Sequence, residues 1–336
     1  MIELQDAAWL AHRYDEASDN YQFVHLPRGA RGEATFLSDE YLPPDLHTEI
    51  VSRSELGVLE PNRTPIHFIF HSGFCCSTLL TRALELPGKA TSLSEPTLLR
   101  DMVGFFDRGA HRDRYPAVFA RTLQLLARPF EPGEAVIAKP SCVVNRQAKT
   151  ILATSPSSQA IFLYAPIRVF LNSIARKGIT GRLWGRELFR GLHGSNRPDL
   201  GFSEEELFGQ TDLQIAGLAW LVQNRIYQLL LAEFGEERIR SLDSESFLAR
   251  PAETLEGIGS LFDLGIGSVQ AQEIAHSDVF HRHSKFGEKF DADERKRERA
   301  AGDSAHADEI EKVALWVETV ARGLGIAMQP AGRLLD

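Results

Sequence analysis

The residues that could do chemistry stand just after short apolar runs. Ser72, Gly73, Phe74, Cys75, Cys76, Ser77 and Thr78 follow the apolar stretch 66–70, and Leu79, Leu80, Ala83 and Leu84 then begin a helical pattern. Strand, tight turn and helix start together make an anion cradle. The turn aims backbone N–H groups inward, and the unpaired N–H groups and positive dipole end of a helix favour a phosphate or sulfate. Ser77 and Thr78 add hydroxyl donors. Glu95 follows a second candidate strand, 90–93, in Ser94-Glu95-Pro96, and Lys139 follows a short apolar run, 135–138, just before Pro140. A carboxylate and an ammonium at the carboxyl ends of strands lie where open α/β sheets bind ligands. There Glu95 can accept a proton and Lys139 can meet developing negative charge. The plainer readings are a helix-entry acid for Glu95 and a lysine that snorkels to solvent for Lys139.

Cys75, Cys76 and Cys142 are an odd number with a vicinal pair. That is not a disulfide framework, and it points to a reducing cytoplasm. Cys75 and Cys76 read as small residues in a tight turn, with a thiol activated by the helix start as the alternative. No metal is expected, because His281 and His283 lack a third and fourth ligand at metal spacing.

The elements that must position these groups alternate between strand and helix. Strands are predicted at 22–26, 34–37, 66–70, 90–93, 135–138, 160–164 and 238–242. Helices are predicted at 115–126, 167–177, 182–192, 212–234, from 251, over 291–299 and over 310–324. Such alternation predicts an α/β fold with a parallel sheet covered on both faces. Residues 1–62 read as a small β-containing N-terminal appendage without chemistry of its own, whose Arg28 and Arg31 are solvated loop charges, and 63–336 as the α/β domain. Arg182, Arg186 and Arg190 recur every four residues and read as a solvated stripe. At 336 residues, with net charge −9 and no apolar run near twenty residues, the chain is an ordinary globular protein. The acidic balance excludes broad nucleic-acid binding, and neither a membrane span nor a signal peptide is expected.

Taken in order, several segments resemble the sulfotransferase family over about residues 64–290. Phe74-Cys75-Cys76-Ser77-Thr78 occupies the place of that family's 5′-phosphosulfate loop, Pro-Lys/Arg-Ser-Gly-Thr/Ser-Thr. Ser94-Glu95-Pro96 resembles the Glu-Pro after the second strand of bacterial members. Lys139-Pro140 resembles a Lys-bearing strand end, 162–173 the 3′-phosphate strand and helix, and Asp243, Phe247, Pro251, Leu255 and Phe262 the late strand, turn and helix. The resemblance implies a P-loop NTPase-like three-layer sandwich. It also implies 3′-phosphoadenosine-5′-phosphosulfate (PAPS) as co-substrate, without a metal.

On this alignment Phe74, Cys75, Cys76, Ser77 and Thr78 form the cradle. Glu95 is the candidate base, and Lys139 the cation for the leaving group or acceptor. Arg168 and Ser173 would hold the 3′-phosphate, and Arg282 and Lys285 would close over the nucleotide. Phe74 stands where the family carries a cation. Tyr164 or Ala165 stands where it carries the first arginine of the 3′-phosphate pair.

The expected activity is transfer of a sulfuryl group to a small-molecule or peptide acceptor, with no nucleic-acid or membrane partner. Two alternatives stay open. One is a nucleotide-dependent kinase or NTPase, which lacks the Gly-Lys end of a Walker A loop at Cys76-Ser77-Thr78. The other is a non-catalytic binding protein on the same scaffold.

Overall fold

The computed structural model describes residues 3–57, 65–192, 199–281 and 292–335, with side chains at all of these except 281 and 292–305. The chain begins with strands β1 (Trp9–Asp15) and β2 (Asn20–His25), helix α1 (Arg28–Glu33) and strand β3 (Thr48–Ser52). There follow β4 (Ile66–His71), α2 (Ser77–Ala83), β5 (Ala90–Ser94), α3 (Thr97–Arg108), α4 (Tyr115–Leu126) and β6 (Ala135–Lys139). A 3₁₀ turn (Cys142–Gln147) leads to α5 (Ala148–Thr154), β7 (Ala160–Tyr164), α6 (Ile167–Ala175), α7 (Gly178–Leu192), α8 (Glu204–Phe208) and α9 (Asp212–Phe234). The chain closes with β8 (Ile239–Asp243), α10 (Ser244–Ala249), α11 (Pro251–Leu261), α12 (Ser268–Ala275), α13 (Asp278–His281) and α14 (Ala292–Leu324).

Among the described residues the fold is an α/β sandwich around a five-stranded sheet in the order β5-β6-β4-β7-β8, every pairing parallel. β4, β6 and β7 are buried along their whole length, as strands covered by helices on both faces must be. The order turns at β4. The chain goes from β4 to β5 and β6 on one side, then crosses to β7 and β8 on the other. Ligand crevices form at such a reversal, outside the carboxyl ends of the strands. In register, Ser94 lies beside Lys139, His71 beside Leu163 and Tyr164 beside Asp243. The ends of all five strands therefore form one rim.

The helices close the faces by close approach. A Cβ on Gly217 of α9 would stand 2.5 Å from Val317 Cγ2 of α14, so only glycine lets these two helices meet there. Ile310, Val313, Ala314, Val317 and Ala321 form the buried stripe of α14. The charge-rich stretch and the final helix predicted separately are one continuous helix. The outer edge of β8 is not bare, because Ser241 N–H donates to Gly332 O and Leu334 N–H to Ser241 O. The C-terminal residues thus shield the edge.

The N-terminal strands form an antiparallel sheet, β1-β2-β3, laid on α3 and α4. Arg13 Nε bonds Asp101 Oδ2 at 2.9 Å, and Tyr21 Oη reaches Val118 O at 3.1 Å. Three expectations are corrected here. Residues 34–37 are not a sheet strand, because their backbone bonds go to the turn after β5. The segment expected as a turn between strands contains α1. Arg28 and Arg31 are not solvated: Arg28 bridges Glu85 and Glu134, each at 2.7 Å, while Arg31 is buried and bonds Ala7 O. The basic stripe of α7 is also paired, Arg182 with Glu309 and Arg186 with Asp212.

Candidate functional site

The loop from β4 to α2 has an unusual backbone. Gly73, Phe74 and Cys76 all have positive φ, at 86°, 53° and 63°. Two of the three are not glycine, so the surrounding structure must impose the shape. Alternation of left- and right-handed residues turns successive N–H groups to one side, the geometry of an anion-binding nest. The loop is strapped from below. Ser72 N–H donates to Leu163 O at 3.1 Å, Ala165 N–H donates to Ser72 Oγ at 3.1 Å, and the buried Gln223 of α9 reaches Ser72 O at 3.3 Å. It is also covered from above: a Cβ on Gly73 would lie 2.8 Å from Trp184 Cη2.

The cradle residues then divide. Cys75 is fully buried in the core, and that burial pushes its thiol up to about 11, so it contributes backbone and packing rather than a nucleophile. Cys76, half-buried, is the residue before α2 and holds the left-handed turn. Ser77 and Thr78 open the helix with buried side chains, and the N–H groups of this first turn have no partner within the helix. Phe74 stacks edge-on against Trp184 at 4.8 Å, and Lys177 Nζ sits over its ring at 5.8 Å from the centroid. The position that would carry a cation is thus apolar, and a cation from just beyond α6 lies against it.

Glu95 and Lys139, on adjacent strand ends, form a direct ion pair. Lys139 Nζ donates to Glu95 Oε1 at 2.7 Å, and Glu95 N–H donates to Lys139 O at 2.7 Å. The lysine side chain is 0% exposed and the glutamate 22%, so the lysine does not snorkel and only the carboxylate meets solvent. Glu95 is held at φ 51°, a left-handed conformation that costs a glutamate about 1–2 kcal/mol. Local strain at a titratable group on the rim is a mark of a functional position.

Phe36 roofs the ammonium at 4.6 Å. It is placed by the segment expected as a strand: Leu37 N–H donates to Ser94 O, Thr97 N–H to Leu37 O, and Ser94 Oγ to Thr35 O. His71, the last residue of β4, brings Nε2 to 4.0 Å from Glu95 Oε1.

Arg168 and Ser173, expected to hold the 3′-phosphate, bond to protein groups in this structure. Arg168 points to α14, where its guanidinium is forked on Glu311 at 2.8 Å and bonded to Glu318 at 2.6 Å. These two carboxylates raise its pKa and accept from its Nε, Nη1 and Nη2. Ser173 Oγ donates back to Val169 O at 2.9 Å, within its own helix. Arg282 and Lys285 lie outside the described residues. Sequence reasoning overlooked His71, Lys177, Trp184 and Phe36. Only His71 carried a signal, a histidine closing a central strand whose other residues, His67 apart, are apolar.

No protein-family model matches the chain, and no curated protein matches it. The solved structures similar to this chain include sulfotransferases. The sulfotransferase domain from the curacin biosynthetic pathway is 13% identical, with a TM-score of 0.43, and the match covers 80% of this chain and 100% of that one. The sulfotransferase domain of the Synechococcus PCC 7002 olefin synthase is 16% identical at a TM-score of 0.43, over 80% of this chain and 97% of that one. A sulfotransferase from Alicyclobacillus acidocaldarius is 13% identical at 0.38, over 76% and 96%. No described helix is long and apolar enough to cross a membrane.

Proposed function

We propose that the protein transfers a sulfuryl group from PAPS to a hydroxyl or amine of a small-molecule or peptide acceptor. The observation that carries the reading is the Glu95–Lys139 pair on the strand rim, which sets a proton acceptor and a cation side by side near a loop of nest geometry. The sequence resemblance of the loop, the Glu-Pro turn and the Lys-bearing strand end supports the same reading.

In the reaction the acceptor oxygen or nitrogen attacks the sulfur, and its proton passes to the Glu95 carboxylate. The bond from sulfur to the bridging phosphate oxygen breaks, and adenosine 3′,5′-bisphosphate leaves. Lys139 Nζ holds the Glu95 carboxylate in place through its bond to Oε1. An ammonium has three donors, so it can keep Glu95 and still meet charge on the leaving oxygen. The loop amides and the Ser77 and Thr78 hydroxyls receive the 5′-phosphosulfate, and Lys177 supplies the charge that Phe74 lacks.

The test is thermal stabilisation by adenosine 3′,5′-bisphosphate compared with ATP and Mg²⁺. Stabilisation by the bisphosphate alone is expected, and stabilisation by ATP with Mg²⁺ alone would refute the reading. Glu95→Gln should then abolish transfer while leaving bisphosphate affinity within about twofold. One observation favours a non-catalytic binding protein instead: Arg168 is committed to Glu311 and Glu318. Bisphosphate binding without turnover across a broad acceptor screen would decide for it.

A further inference from the structure

We propose that His71 is a positioning residue, a latch that ties the anion cradle to the strand end bearing Lys139. The proposal deepens the donor reading above and rests on it only for the identity of what the cradle holds.

The imidazole lies between two backbones. Gly73 N–H, from the cradle loop, donates to Nδ1 at 3.2 Å, and Nε2 lies 3.0 Å from Pro140 O, one residue past Lys139. An amide N–H can only donate and a carbonyl can only accept. The ring must therefore accept at Nδ1 and donate from Nε2, which fixes the neutral Nε2–H tautomer. Its side chain is 5% exposed, so water does not substitute for either partner.

The same residue is gripped from behind, because Asn145 Nδ2 donates to His71 O at 2.9 Å and to Gln223 Oε1 at 2.8 Å. One ring thus joins the loop after β4 to the end of β6. Through Glu95 N–H on Lys139 O, the turn after β5 joins the same unit. Gly73 has no easy alternative shape, since its φ of 86° and the Trp184 ring above it leave the loop little room.

The latch has a chemical signature that packing alone lacks. A second proton on Nδ1 removes the acceptor for Gly73 N–H, and the amide then faces an N–H donor. Among the described residues, titratable groups facing the ring include Glu95, with Oε1 at 4.0 Å from Nε2, Lys139 behind it, and Cys142, with Sγ at 3.4 Å from Nδ1. Glu95 attracts the imidazolium, Lys139 offsets that attraction, and the Cys142 thiol competes for the same ring nitrogen. Asn145 and Gln223 are neutral. Acid therefore releases the loop from the ring.

The test uses the full chain, with nitrogen NMR of the His71 ring and the Gly73 amide followed against pH, beside the affinity for adenosine 3′,5′-bisphosphate. The expected results are an Nε2–H tautomer at alkaline pH and a Gly73 amide shift that moves with the midpoint of the ring. Bisphosphate affinity should fall about tenfold through that midpoint, the worth of one hydrogen bond at the cradle. In His71→Asn, whose carbonyl can accept from Gly73 but does not titrate, both profiles should be flat. In His71→Leu affinity should be about tenfold weaker at every pH.

An Nδ1–H tautomer, a Gly73 amide that ignores the ring, or a pH profile unchanged in His71→Asn would overturn the latch. A Gly73 amide that follows the ring in a protein binding no bisphosphate at any pH would instead leave the latch standing and remove the donor reading.

Discussion

Replacing Lys139 by methionine tests the central pair without changing side-chain volume much. The ammonium is fully buried and 2.7 Å from a carboxylate that is itself 22% exposed. At an effective dielectric of about 20 the gross attraction at that distance is roughly 6 kcal/mol, most of it offset by the desolvation of both ions. Removing one partner of a buried pair leaves the other uncompensated, at a cost of about 3–5 kcal/mol. Glu95 can reach water, so the lower figure applies, about 3 kcal/mol. With an unfolding entropy near 2.1 cal/mol/K per residue, that is about 4 °C in Tm for a chain of this length.

Glu95→Gln should cost less, about 1–2 kcal/mol, because the amide oxygen still accepts from the ammonium. The double variant should therefore be more stable than the sum of the single losses by about 1.5 kcal/mol or more. Urea unfolding of the four proteins measures the cycle. Additivity within about 0.5 kcal/mol, or a Lys139→Met loss below about 1 kcal/mol, would show that the pair does not hold the rim together.

Three further outcomes follow from local geometry. Cys76→Gly should stabilise the protein by about 1 kcal/mol in denaturant unfolding, because glycine relieves the left-handed strain at φ 63°; a loss of stability would mean that the side chain packs better than the strain costs. His67 is buried, stacked on Phe262 at 4.5 Å, and accepts from Gln159 N–H, and burial lowers its pKa to about 4. The unfolded chain therefore takes up a proton that the folded protein refuses. Stability should be complete above pH 6.5 and fall by up to about 3 kcal/mol as pH drops through 6.5 towards 4, and His67→Phe should lack that component in acid titrations followed by circular dichroism. Lys177→Ala should weaken adenosine 3′,5′-bisphosphate binding by about tenfold in calorimetry and steepen its response to salt less than wild type, as loss of one charge contact requires; unchanged affinity would remove Lys177 from the cradle.

The parts of the fold set by local pattern were legible from the sequence. The buried strands β4, β6 and β7 announce themselves as short, mainly apolar runs, β5 and β8 as mixed ones, and the rim groups Glu95 and Lys139 stand at the ends of β5 and β6. β1 was not legible, because its register shifts between Ala11 and Arg13 and breaks the two-residue period. Residues 34–37 looked like a strand, but their partners are Ser94 and Thr97, in a turn that no periodicity reveals. The long-range ion pairs were equally hidden. Arg168 sits at the start of a helix, and nothing in the local pattern reveals its ion pairs with Glu311 and Glu318 on α14. Arg31 reads as a loop charge because its buried setting depends on the sheet beneath it. The contact between Glu95 and Lys139 needs the parallel register of β5 and β6, which sets Ser94 beside Lys139. Spacing along the chain does not contain that register.

The roof over Lys139 also fixes an order of events. Phe36 leaves the ribosome early, but Ser94 and Thr97, which bond its neighbours Thr35 and Leu37, follow about 60 residues later and Lys139 about 100 residues later, some 5–20 s of synthesis. The three-stranded sheet can dock on α3 and α4 as soon as they emerge, but until β6 follows, the Phe36 segment has no ammonium to cover. The chemistry-bearing pair is therefore sealed only once β6 has paired with β5 and the early Phe36 segment lies over it. A nascent chain stalled before β6 would present Phe36 without its lysine to whatever chaperone or aggregate meets it first.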